Sequence, residues 1–437
     1  VLEKIRPKAE DRKRLKEAAD AILSRIEGLA RERGHNFKAL LVGSGARSTW
    51  LAGDHDLDLF IAVPDGADLK DALELARLVA PVHQEKYAEH AYIHASVDGF
   101  EVDIVPCYHV LNASCLRSAV DRTPFHTQYI TSRITGLEDH VLLLKQFMKG
   151  VGVYGSELRT GGFSGYLSEI LVLRYGSFLG VLEAASGWHP GETIDLEGHC
   201  AQAHEEPLVV VDPVDPYRNV AAALTLDKMF QFVAASRCYL ARPEIEMFFP
   251  LGENVLTDQE IIGRMRERGS HMLLVEFKAP DVVEDVLFPQ LRKAEESARA
   301  MLERHGFRAL RSDVYQAAGL AGMLFEMEVA ELPAVSKRFG PPAWEGEHLS
   351  RFLSAHIQKL SGPYLEDGRA VIEVRRKYTQ AWKLLDKEIL NLALGKHIAA
   401  QIRAGYRIYY DIEILEVKDL EFRTFLSRYF KAHHKIC

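Results

Sequence analysis

The chain has 437 residues, enough for about three domains of ~150 residues, and its 47% hydrophobic and 27% charged content is that of an ordinary soluble globular protein. No uninterrupted apolar run approaches the ~20 residues of a membrane span, and the opening Val1-Leu2-Glu3-Lys4-Ile5-Arg6-Pro7 is no secretory signal, so the expectation is a cytoplasmic protein with no membrane partner. The net charge of −8 is the wrong sign for a protein that binds a polyanion over its whole surface, and five cysteines without a Cys-x-x-Cys pair argue against a zinc module or a disulfide framework.

Glu10 to Arg33 is rich in Leu, Ala, Glu, Lys and Arg at helical spacing and predicts a helix. Leu40-Leu41-Val42 reads as a short buried strand, and Gly43-Ser44-Gly45-Ala46-Arg47 opens a helix predicted to run through Ser48, Thr49, Trp50 and Leu51. Asp54, Asp56 and Asp58 then occupy alternate positions at the start of a strand that continues through Leu59, Phe60, Ile61, Ala62 and Val63. Residues 38–63 thus form a β-α-β unit, followed by a helix near Leu69 to Val79. Asp98-Gly99 is a strong hairpin signal, so Asp103, within Phe100 to Pro106, is expected on a strand returning through the same sheet.

Past Arg133 the pattern turns mostly helical. It runs through Val141 to Met148, which carries Lys145, and Phe163 to Ala185, then resumes from Asn219 to Leu240 after turns at Asp212-Pro213 and Asp215-Pro216. From Met272 to Phe277 a strand, helix, strand order begins, with a helix over Leu291 to His305 and a strand over Met323 to Val329. Phe339-Gly340-Pro341-Pro342 marks an exit from that body, with a return near Asn391. The fold class is α+β and multidomain, divided as 1–134, 135–265 and 266–437, the last with a tail at roughly 338–390. His433, His434 and Cys437 read as a polar tail rather than a metal site.

The acids carry the chemistry. Strand side chains alternate between faces, so Asp56 and Asp58 point the same way, and Asp103 on a neighbouring strand can join them. Three carboxylates of this kind suit hard divalent cations, Mg²⁺ above all beside phosphates, and two such ions about 3.5–4 Å apart stabilise both oxygens of an in-line displacement. Alone, the row of acids reads equally well as the solvated face of an edge strand. Strand, Gly-Ser, helix, then Asp-x-Asp is more specific: backbone N–H groups at the helix start favour phosphate, Ser44 offers a hydroxyl and Arg47 a charged fork.

Gly-Ser followed by Asp-x-Asp resembles the DNA polymerase beta-like nucleotidyltransferases. The likeness narrows through Val42 to Leu51, Tyr87-Ala88-Glu89-His90, Val102 to Tyr108, Ser118 to His126, Val153-Tyr154-Gly155, Gly162 to Leu167, Val211 to Asp215 and Arg218 to Ala222, blocks similar to those of the archaeal class I CCA-adding enzymes. It covers the first half closely, and the second in scattered places such as Phe288-Pro289-Gln290-Leu291 and Leu394-Gly395-Lys396.

The resemblance implies a polymerase beta-like nucleotidyltransferase head, a helical neck and an RRM-like α/β body with a helical tail. It implies template-independent addition of C, C and A to the 3′ end of tRNA from CTP and ATP, with two Mg²⁺ ions and release of pyrophosphate. Asp56, Asp58 and Asp103 fall on the catalytic, metal-binding positions, with Asp103 also accepting the proton of the attacking hydroxyl. Family members often carry Glu where this chain has Asp56, and Asp54 falls outside the trio as a solvent-facing or more distant acid. Ser44, Arg47, Lys145 and Tyr154 match triphosphate positions, Thr123 and His126 further nucleotide contacts, and Arg218 the arginine that reads the base. Read without the family, Lys145 is a snorkelling surface residue, His126 a packed or exposed imidazole with no special role, and Arg218 a partner for Asp215 at a helix start. The tRNA partner would be met through its acceptor and TΨC arms, on local basic surfaces at Lys4 to Lys16, Arg292 to Arg311 and Arg375-Arg376-Lys377 near Tyr378 and Trp382. A homodimer is left open. The alternatives are a poly(A) polymerase or antibiotic nucleotidyltransferase, which share the acids, and an inactive RNA-binding scaffold.

Overall fold

The computed structural model describes every residue except 65, 88, 251–254, 318 and 432–437, so His433, His434, Cys437 and the Ala88 of the Tyr87–His90 block lie outside the described residues. The chain falls into two compact units, one running to Leu251 and one beginning at Gly252.

In the first unit, α1 (Leu2–Ile5) and α2 (Ala9–Glu32) precede a five-stranded sheet of β1 (Lys38–Val42), β2 (Asp56–Val63), β3 (Gln84–Tyr87), β4 (Ala91–Val97) and β5 (Phe100–Tyr108), in the order β1-β2-β5-β4-β3. The connections α3 (Gly43–Arg47) and α4 (Leu69–Val79) lead into and out of β2. Leu57, Leu59, Ile61 and Val63 of β2 point to one face, where Leu15, Ile22 and Ile26 of α2 and Ala72, Leu75 and Ala76 of α4 bury them. Full burial of each such aliphatic side chain contributes ~1.5–3 kcal/mol. Strand alternation then commits Asp56 and Asp58 to the opposite face, where Phe60 and Ala62 continue their row into a smaller cluster with Val42 and Cys107. Asp98 and Gly99, with φ of 51° and 82°, form the expected tight turn between antiparallel β4 and β5. The helix after Gly43 is shorter than predicted: Ser48 takes a left-handed conformation, φ 57°, and ends it at Arg47.

Five further helices build the rest of this unit: α5 (Thr123–Thr131), α6 (Glu138–Gly150), α7 (Gly165–Tyr175), α8 (Phe178–Ala185) and α9 (Leu226–Ala241). They surround a core in which Phe147 of α6 meets Phe178 of α8 and Phe232 of α9. The Ser164 hydroxyl accepts the Leu167 N–H to start α7, and Gly176, φ 76°, ends it. Where the sequence predicted only Asp-Pro turns, three short strands form a sheet, β6 (Glu192–Ile194), β7 (Leu208–Asp212) and β8 (Asp215–Asn219). Arg218 therefore sits on a strand, not at a helix start.

The second unit contains α10 (Asp258–Arg268), β9 (His271–Lys278), α11 (Glu284–Arg304), β10 (Arg308–Ala317), β11 (Leu320–Val329), β12 (Val335–Pro342), α12 (Gly346–Ala355), β13 (Ser361–Glu366), β14 (Arg369–Arg375), α13 (Ala381–Glu388), α14 (Lys396–Ala404), β15 (Tyr406–Tyr410) and α15 (Leu420–Phe430). Its main sheet has the order β10-β11-β9-β15, all antiparallel, with α11 connecting β9 to β10 and α13 and α14 preceding β15. Leu273, Val275 and Phe277 face α11, α13 and α14, whereas Met272 and Leu274 face α10 and α15, so both faces are covered. The expected helical tail is corrected here. Phe339 to Pro342 ends β12, and residues 335–375 form a three-stranded sheet, β12-β14-β13, with one helix, α12. Prolines at 341 and 342 suit an edge strand, which β12 is. The helix expected from Leu291 begins earlier, at Glu284, and contains Pro289.

Candidate active site

Asp58 of β2 and Asp103 of β5 are direct partners in a parallel pair, and one step along Asp56 lies opposite Glu101. His94 of β4 lies opposite Asp103 on the other side. Its Nδ1 is 2.6 Å from Asp103 Oδ1 and its Nε2 is 3.2 Å from Glu101 Oε2. The acids crowd one another. Burial first, then the neighbouring Asp103, pushes the Asp58 carboxyl up to about 6, while Arg47 pulls the other way. Asp56 is raised too, by burial and then by Asp54 and Asp103. Gly43, φ 69°, lies against this cluster so closely that a Cβ there would fall 1.9 Å from Asp58 Oδ2. Only glycine leaves room for that carboxylate.

Among the described residues no three His, Cys, Asp or Glu side chains converge tightly enough to ligate an ion as they stand. The fit to a divalent cation is instead one of donor chemistry: hard oxygens from two adjacent strands and an excess of negative charge that a cation relieves. Asp54 is drawn off by Lys149, whose Nζ is 3.1 Å from its Oδ1.

Glu169 of α7 ties the cationic residues together. It is fully buried and accepts from Arg47 Nε at 3.0 Å and from the Thr49 hydroxyl, with Lys145 Nζ 3.8 Å away. Lys145 is only 3% exposed and donates to the Thr49 carbonyl at 2.8 Å. It is thus a buried cation, not a snorkelling one. A Cβ on Gly165 would meet the Tyr154 hydroxyl at 3.1 Å and Lys145 Nζ at 3.5 Å, which places both side chains at the start of α7. Burial lowers the Lys145 ammonium to about 8, against the upward pull of Glu169. Because kcat/KM reports free enzyme, its value for the nucleotide is expected to fall as pH rises through about 8, when Lys145 loses its charge. A pH profile with the same alkaline limb in Lys145→Arg would refute that assignment, since guanidinium stays charged.

Asp212, at the end of β7, is a second buried centre. Its Oδ2 accepts from Arg218 Nη1 at 2.7 Å and lies 2.8 Å from His126 Nε2, and its Oδ1 accepts from the Tyr166 hydroxyl at 3.2 Å. His126 stacks on Tyr166 with centroids 4.0 Å apart. Burial opposes ionisation of Asp212, but His126 and Arg218 outweigh it and hold the carboxyl at about 2. The alternative partner for Arg218, Asp215, is taken by Arg122 at 2.8 Å. Thr123 is half-buried in the first turn of α5, and Arg47 reaches that helix by donating to the Thr127 hydroxyl at 3.3 Å. Ser44 is half-buried in α3.

Sequence reading missed Glu169, Asp212 and His94. Glu169 left one signal, being the sole acid in the apolar helix Gly165–Tyr175, and Asp212 another, closing the buried run Leu208-Val209-Val210-Val211. His94 left none.

Family models match in three stretches: a nucleotidyltransferase domain over residues 23–126, the second domain of tRNA nucleotidyltransferase over 139–249, and the C-terminal domain of CCA-adding enzyme over 268–411. The CCA-adding enzyme of Methanosarcina mazei is 43% identical over 98% of this chain and 97% of its own length. The chain belongs to the CCA-adding enzyme family. The CCA-adding enzyme of Methanothermobacter thermautotrophicus is also 43% identical, over 98% of this chain, and that of Haloarcula marismortui is 37% identical over the same share. Membership in the CCA-adding enzymes makes the first unit's head a polymerase beta-like nucleotidyltransferase, in a multidomain chain of mixed α and β structure, using nucleotides and a divalent metal. It also extends the likeness through the second half of the chain, where sequence blocks alone were scattered.

Proposed function

We propose that Asp56, Asp58 and Asp103 form the catalytic centre of CCA addition and would hold two Mg²⁺ ions. The protein, as a CCA-adding enzyme, adds C, C and A to the 3′ end of tRNA. The observation that carries the site is the pairing of Asp58 with Asp103 across β2 and β5, on the sheet face against Gly43. When bound, the ions would supply Lewis-acid stabilisation of the charge that develops on the attacking and leaving oxygens.

The remaining steps belong to the chain's own groups. Asp103 takes the proton of the tRNA 3′ hydroxyl as that oxygen attacks the nucleotide α-phosphorus and pyrophosphate leaves. Ser44, Arg47, Lys145 and Tyr154 bind the triphosphate, with Arg47 and Lys145 held by Glu169 so that little side-chain freedom is lost on binding. Thr123 and His126 contact the nucleotide. Arg218, its fork oriented by Asp212, reads the edge of cytosine or adenine from CTP or ATP, which gives base selection without a template.

In the same proposal residues 1–134 are the catalytic head, 135–265 the neck and 266–437 an RRM-like body with its tail, meeting the acceptor and TΨC arms of tRNA in the cytoplasm. The βαββαβ order of the main sheet favours the RRM-like body. Its recognition of RNA must then come from loops, edges and the β12-β14-β13 insertion, because helices cover both sheet faces. No helix among the described residues is long and apolar enough to cross a membrane.

The test is tRNA lacking its last three nucleotides, given Mg²⁺ with CTP, ATP or both. Two C additions with CTP alone, and a single final A only with both, are expected. Long A tails from ATP would make it a poly(A) polymerase, and no incorporation would make it a scaffold.

A further inference from the structure

We propose that His94 is a positioning residue for Asp103, fixing which carboxylate oxygen serves the reaction. The inference rests on the assignment of Asp103 to that reaction.

The contact follows from backbone pairing. His94 and Asp103 are direct partners in antiparallel β4 and β5, and β4 is held on its other side by β3, where His94 lies opposite Gln84. The imidazole therefore meets the carboxylate without a long, flexible reach. Its Nδ1 lies 2.6 Å from Asp103 Oδ1, and the far nitrogen lies 3.2 Å from Oε2 of Glu101, two residues before Asp103 on the same face. Both side chains are part-buried, at 24% exposure for His94 and 34% for Asp103, so solvent screens the contact only partly.

Asp103 needs such a hold. Asp58 is beside it, and Asp56 and Glu101 occupy the next row, so like charges crowd its carboxylate from the side of β2 and along β5. The imidazole is the donor that meets it from the strand away from Asp58. With Oδ1 tied to Nδ1, Oδ2 is left to face the chemistry. Partners of this kind, one step behind a ligating carboxylate, change metal affinity or activity by ~10–100-fold when removed.

Three substitutions separate the two ends of the ring. Asparagine places an amide N–H where Nδ1 sits and keeps the Asp103 bond, whereas glutamine reaches only as far as Nε2 and keeps the Glu101 contact. Single-turnover CMP addition, binding of Mn²⁺ alone followed by electron paramagnetic resonance, and Tm are measured for each. His94→Ala and His94→Gln are expected to lower kcat and Mn²⁺ affinity by ~10–100-fold with KM for CTP unmoved, and His94→Asn to restore both. Equal losses in Asn and Ala, rescue by Gln instead of Asn, or losses that track Tm would overturn the proposal. So would a gain in Mn²⁺ affinity on removing the ring. Asp103→Ala is run beside them: if it is inactive while His94→Ala is unaffected, only His94 is misassigned, and if it is active, the reading of the catalytic trio itself fails.

Discussion

Asp58→Ala is expected to lower single-turnover incorporation of CMP by at least ~10³-fold, because loss of cation-based stabilisation costs several kcal/mol of barrier and each 1.36 kcal/mol is a factor of ten. Affinity for tRNA, measured by gel shift, should hardly change, since the carboxylate sits on the head's sheet face among other acids and repels a polyanion. Parallel loss of tRNA binding would mean that its role is wrongly assigned. The isosteric Asp58→Asn should in addition be more stable than wild type without metal. Burial and Asp103 raise the carboxyl from 3.8 to about 6 in the folded state, so the folded protein holds this proton more tightly than the unfolded chain does. That contribution is present in full below 3.8 and is lost as pH rises through about 6. At pH 7 in chelator the wild type therefore carries an uncompensated charge that Asp58→Asn removes, and Tm should rise. At pH 4 the gain should be nearly gone.

Glu169→Ala is expected to cost about 3–5 kcal/mol of stability, the usual result of leaving a buried charge without its partner. The carboxylate is fully buried, and Arg47 and Lys145, the cations it serves, are 8% and 3% exposed. Function should fall by a separate route. Arg47 and Lys145 lose the anchor that orients them, so KM for CTP and ATP rises. Lys145 also loses the group that holds its ammonium up against burial, so the alkaline limb moves below about 8. The coupling can be measured: in the variant, nucleotide binding should already weaken between pH 6 and 7, where wild type, with Lys145 at about 8, is nearly flat. Unchanged Tm and an unchanged pH profile would show that Glu169 does not organise the cations.

Local signals read well where the physics is local. The 3.6-residue spacing of Leu15, Ile22 and Ile26 marks α2, Asp98-Gly99 marks the turn before β5, and the helix read near Leu69 to Val79 is α4. The misses were those of competing tertiary effects. The stretch from roughly 338 to 390 reads as a helical tail, yet 335–375 form a sheet, because β12 pairs with the distant β14, Phe339 lying opposite Val371. The strand β10 went unread because the stretch Arg308 to Asp313, Arg-Ala-Leu-Arg-Ser-Asp, carries no alternation of apolar and polar residues, and it is set by pairing with β11 across register shifts.

For the site the division is sharper. The sequence by itself determined the family and that Asp56 and Asp58 share a face, since the period of a strand places them there whatever it pairs with. Only the tertiary structure decided that Asp103 stands directly beside Asp58, that Asp54 pairs with Lys149, that Arg218 is held by Asp212 and not Asp215, and that Glu169 meets Arg47 and His94 meets Asp103. The reason is distance along the chain. Arg47 and Glu169 are 122 residues apart, and no local period encodes which buried charge will meet which; that is settled when the elements pack and each buried ion must find its partner.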